Sequence, residues 1–166
     1  MPRLLCFLLI SIGSLTGLSA QQYGHLNFAN LLSQMPGTEA AEAELAAYNQ
    51  QLVERGEQMV EDLRARVREV ESQIEDLPPV RVEELRVELN GEREKIGQYE
   101  QQMAVDLETK RRELLGPLIQ QARDAIDAVA RENGYLLVFD TSQFNTVLFA
   151  QDSDDLMALV KAKLGM

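Results

Sequence analysis

Few side chains in this sequence of 166 residues could do chemistry. It has one histidine, His25, and one cysteine, Cys6. A nucleophile needs a base beside it, and a transition metal needs several N or S ligands at close spacing. His25 lies in an apolar/polar alternation, Tyr23-Gly24-His25-Leu26-Asn27-Phe28, so it reads as a structural histidine on a strand. Asp152-Ser153-Asp154-Asp155 resembles half of a calcium loop, but no second half follows, and such residues cap helices. There is no GxxxxGK[ST] run to cradle a nucleotide phosphate. The sequence therefore reads as a non-enzyme with no catalytic residue, no metal site and no cofactor.

The bulk of the chain is built for a different purpose. From Thr38 to Asn133 it is rich in Glu, Gln, Arg, Ala and Leu, all good helix formers. Large apolar residues recur in threes, fours and sevens at Leu45, Tyr48, Leu52, Met59, Leu63, Val67, Val70, Ile74 and Leu77. They recur again at Val82, Leu85, Leu89, Ile96, Tyr99, Met103, Leu107, Leu114 and Leu118. Each set makes one apolar stripe of the coiled-coil kind. Pro78-Pro79 separates the stripes, and a proline pair cannot lie inside a helix. The chain must reverse there and zip into an antiparallel hairpin. A turn centred on the pair makes facing residue numbers sum to about 157, which places Met59 over Tyr99.

Residues 1–20 read as a cleavable signal peptide. Arg3 precedes an apolar run too short to span a membrane, and Leu18-Ser19-Ala20 offers a cleavage site. Removing Cys6 with the leader leaves an exported chain without cysteine, which suits a bacterial periplasm. That chain carries 15 Lys and Arg against 27 Asp and Glu, a net charge of −12. Residues 38–118 supply 20 acids and 11 bases of it. So acidic a surface disfavours nucleic acid and strong anionic-membrane binding.

Around the hairpin, residues 21–37 and 119–166 form a second region. Ala29 to Gln34 reads as a turn of helix, and Thr38 as the cap of the first arm. Gly134 should stop the second arm. Tyr135 to Phe139 is almost wholly apolar and reads as a strand buried on both faces. A second strand is expected from Phe144 to Ala150, then a short helix from Leu156 to Leu164. Six of the eight aromatic residues after the leader belong here. Strands so short cannot close a core alone, so this base should oligomerise through Leu26, Phe28, Leu136, Val138, Val147 and Phe149. The fold class is thus mostly α with a small β body: a long helical arm, residues 38–118 with its tip at 78–79, projects from a β-containing oligomerisation base.

Several short strings stand in a telling order: Gly24-His25-Leu26-Asn27, Met35-Pro36, Leu114-Leu115-Gly116-Pro117-Leu118, Glu132-Asn133-Gly134-Tyr135, Val138-Phe139-Asp140, and Asp154-Asp155-Leu156 with Val160-Lys161. Together, and behind a signal peptide, this set resembles the Skp/OmpH-like family of periplasmic chaperones over the whole exported chain. The resemblance implies a homotrimer with a central β body and three helical tentacles. It also implies ATP-independent holding of unfolded outer-membrane proteins. The acidic arms depart from the basic arms of well-studied members. Apolar residues outside the seam, Val53, Val60, Val80, Val87 and Val105, are candidates for client contact. Gly116-Pro117 is a candidate hinge within the second helix. A structural coiled-coil adaptor of the cell envelope is the alternative reading.

Overall fold

The computed structural model describes residues 22–143 and 147–166. The signal-peptide reading of residues 1–20 and residues 144–146 of the expected second strand lie outside them. The elements run β1 (Gln22–Leu26), α1 (Phe28–Gln34), α2 (Thr38–Gln73), a 3₁₀ turn (Ile74–Asp76), α3 (Pro79–Glu132), β2 (Tyr135–Asp140), a 3₁₀ turn (Asp152–Asp154) and α4 (Met157–Leu164). They divide into two compact units, one of residues 32–122, the other of the described residues up to Leu31 with Arg123–Met166. The fold is mostly helical with one small sheet.

In the first unit α2 and α3 form the hairpin, at roughly 1.5 Å of rise per residue for long uninterrupted runs. Its turn is not centred on the proline pair. Pro78 forces the preceding residue out of the helical region, and Leu77 is extended (φ −94°, ψ 142°). Pro79 then begins α3, where a missing N–H costs nothing. The reversal is therefore centred on Leu77. Facing residues such as Glu44 with Lys110 and Arg66 with Glu88 sum to 154, not 157. Tyr99 consequently meets Leu52 and Gly56, a turn earlier than the Met59 expected from the sequence.

Thr38 is not the cap of α2 but its first residue. Gly37 holds the cap position at φ 91°, a left-handed conformation that favours glycine. The Thr38 hydroxyl donates to the Leu32 carbonyl at 2.7 Å, which satisfies a polar group almost wholly buried. At the other end, Gly134 (φ 74°) ends α3 as expected. Asn133 supports that end by donating through Nδ2 to Val129 O at 2.8 Å.

The second unit holds the sheet. β1 and β2 pair in parallel, with Tyr23 opposite Leu137, Gly24 opposite Val138, His25 opposite Phe139 and Leu26 opposite Asp140. Parallel neighbours need a long crossover, and the whole hairpin supplies it. The other edge of β1 bridges from His25 to Asp155, with Leu156 N donating to His25 O at 2.9 Å. Leu26, Leu31, Ala125, Val129, Leu156 and Val160 are this unit's buried apolar residues.

Several elements differ in detail from the sequence reading. Phe28 opens α1 rather than closing β1, because Asn27 Oδ1 accepts from Asn30 N at 2.8 Å and makes Asn27 a helix cap. Residues 147–150 form no strand. Asp155 Oδ1 accepts from Met157 N at 2.8 Å, so α4 starts one residue later than expected.

Candidate functional site: an apolar strand edge and a clasped acidic arm

The body presents apolar surface where the sequence predicts a strand buried on both faces. Leu136, Leu137 and Phe139 of β2 are each 44–58 % exposed, and Val138 is half-buried. A two-stranded sheet offers β2 no partner on its far edge, so nothing among the described residues covers them. Phe149 and Leu148 are more than four-fifths exposed. Of the other expected interface residues, Phe28 and Val147 are half-buried. Leu26 is 2 % exposed, so it is already spent inside the protomer.

His25 is tied into this body. Its Nε2 donates to the Gln151 carbonyl at 3.1 Å. Asp140 has a similar tying role, accepting through Oδ1 from Phe28 N at 3.1 Å and Ser142 N at 2.8 Å. Burial pushes its carboxyl up, but the Ser142 N–H, the Ser142 hydroxyl and the Phe28 N–H outweigh that and hold it below the ordinary 3.8.

On the arm, two clasps fix the register. The Tyr99 hydroxyl on α3 donates to Leu52 O on α2 at 2.9 Å, and Arg55 lies over its ring at 5.3 Å. Gly56 lies against the same ring, where a Cβ would stand 3.4 Å from Tyr99 Cε1, in ordinary van der Waals contact. Nearer the arm's other end, Lys110 pairs with Glu44 at 2.6 Å and lies 5.9 Å from the Tyr48 ring centre. Its Glu44 hydrogen bond raises the Lys110 pKa above the usual lysine value. Sequence reasoning missed both clasps. Their only signal was two tyrosines in an otherwise aromatic-free arm.

The structure sorts the five candidate client residues. Val53 and Val60 line one groove, together with Gly56, Ile96 and Met103. Val80 and Val87 form a separate patch near the tip, 73 % and 64 % exposed. Val105, also exposed, stands apart from both. Gly116 and Pro117 lie inside α3, which runs through them without a break. Among the described residues no cluster of three or more His, Cys, Asp or Glu could hold a metal. No described helix is long and apolar enough to cross a membrane.

The chain thus combines a long helical hairpin with a small parallel sheet. Residues 22–164 match the family described as outer membrane protein (OmpH-like), and the chain belongs to that family. The fold is similar to the crystal structure of a protein of Caulobacter crescentus CB15 classed as an OmpH-like outer membrane chaperone. The TM-score is 0.69 at 15 % identity, over 89 % of this chain and 86 % of that one. No curated protein matches the sequence.

Proposed function

We propose that this protein is an ATP-independent holdase of the periplasm. It binds unfolded outer-membrane β-barrel proteins and keeps them from aggregating. Membership of the OmpH-like family sets the class. The observation that carries the reading is on the arm. Beyond its seam, Val53, Val80, Val87 and Val105 are 40–73 % exposed on a highly charged surface. Such patches gain roughly 25 cal/mol for each Å² of apolar client surface they cover, without requiring one fixed sequence. In this reading residues 38–118 are the arm and residues 21–37 with 119–166 the oligomerisation body, exported by the leader at 1–20.

The working unit in this reading is a homotrimer. The exposed β2 residues need a cover, and a second copy supplies both apolar side chains and strand pairing. Several arms then hold one client by effective concentration. No step of the mechanism consumes a nucleotide or makes a bond, because folding of the client into the membrane is the stronger sink. The test is light scattering of an unfolded outer-membrane protein diluted from urea. Suppression at a few-fold trimer excess is expected. A scattering trace unchanged by the protein would sink the chaperone reading, and tight binding of a single envelope partner would favour the adaptor.

A further inference from the structure

The groove that gathers Val53 and Val60 has a floor and a rim of opposite character. Its volume is about 530 Å³, and its floor is Val53, Gly56, Val60, Ile96 and Met103. Glu57 on α2 and Glu100 on α3 stand among its lining residues, with the Glu61–Arg64 pair beside them. Both Glu57 and Glu100 are exposed, and no salt bridge of the described residues involves either. Some other acids of the arm already have a cation beside them. Glu61 is held by Arg64, and Glu44 by Lys110. The cation Arg55 on α2 lies over the Tyr99 ring.

We propose that this groove selects cationic apolar segments of unfolded polypeptide: a bulky apolar side chain enters the floor while a neighbouring Lys or Arg meets Glu57 and Glu100. The inference rests on the holdase reading and names the chemistry of what is held. Size and chemistry agree with it. The groove is large enough for one or two large side chains, and its floor offers a methionine, which adapts to varied shapes. Two unpaired carboxylates, one on each helix, attract a guanidinium or ammonium with charge-assisted hydrogen bonds. The same pair repels a segment rich in Asp or Glu, so selection works by exclusion as well as by attraction. The arm's excess of 20 acids over 11 bases extends that field along the whole hairpin.

The test uses the purified protein and short dye-labelled peptides with the same apolar residues, flanked by Lys in one and by Glu in the other. Fluorescence anisotropy at low salt should show the Lys peptide bound about tenfold more tightly, with the ratio shrinking at high salt. Glu57→Gln with Glu100→Gln should remove most of the preference while leaving the thermal melt unchanged. Val53→Ser with Val60→Ser should weaken both peptides alike. Equal binding of the two peptides by the unaltered protein overturns the proposal. So does a preference that survives the double Gln change, which would place the selection in the overall charge. Aggregation of an unfolded β-barrel protein, measured in parallel, separates the two ideas. Suppression without peptide preference removes only the groove's selectivity, whereas preference without suppression leaves the groove standing and removes the holdase.

Discussion

Gly24 shows how one residue can be fixed by its neighbours. A Cβ at this position would lie 2.8 Å from Leu156 Cδ1, 3.0 Å from Leu156 Cγ and 3.2 Å from Tyr135 Cδ1. Leu156 is fully buried. Gly24→Ala should therefore cost about 1–3 kcal/mol as overpacking, read as a lower urea midpoint. An unchanged midpoint would mean that Leu156 can step aside. Tyr99→Phe tests the arm in the same way. It removes the bond to Leu52 O and should cost about 1 kcal/mol, with the hairpin otherwise intact. Asp140 gives a pH signature. Its folded pKa is held below 3.8, so its stabilising contribution is present above that value and is lost as pH falls through the folded one. Asp140→Asn should flatten the acid limb of a stability–pH curve below about pH 4, while leaving the alkaline limb alone. His25 was legible as structural from its strand setting. Its partner, the Gln151 carbonyl, was not, because a backbone acceptor 126 residues away leaves no trace in local pattern.

At the scale of elements, the two apolar stripes and the proline pair were enough to give the hairpin. They were not enough to give its register, because the turn's centre depends on backbone conformation. Pro78 acts on the residue before it, so Leu77 rather than the pair itself becomes the pivot. The missing strand at 147–150 has a related cause. Apolar composition says that a segment wants cover, but not whether its own chain can provide it. Gly116-Pro117 poses a sharper case. Pro117 deprives α3 of one interior hydrogen bond, and a Cβ placed on Gly116 would meet nothing within 4 Å. Gly116→Ala should then be free of clashes and stabilise by about 1 kcal/mol, and adding Pro117→Ala should raise stability further. Hydrogen exchange around residues 112–118 is the measurement. Faster exchange there in the natural sequence, slowed in the double variant, is expected of a hinge. Equal protection in both would leave Gly116-Pro117 as a fixed feature of a rigid helix.

At the scale of the whole molecule, the question is what covers β2. The strand carries Leu136, Leu137, Val138 and Phe139 in succession, a pattern suited to burial on both faces, yet three of the four are exposed in the single chain. Exposed apolar edges invite pairing with another chain. The acidic surface works against random association, since copies of net charge −11 repel one another. A contact that buries the strand can outweigh that repulsion, so assembly should be specific and should strengthen with salt. Val138→Asp places a charge in the middle of the contact, where it would be buried without a partner at a cost of several kcal/mol. Because Val138 is only half-buried within its own chain, the variant should still fold, with its helical circular dichroism intact. Sedimentation should then show trimers for the natural sequence and monomers for the variant, and added salt should tighten assembly only in the former. A variant that stays trimeric with the same melting temperature would show that another surface joins the copies, and the exposed β2 residues would need a different occupant.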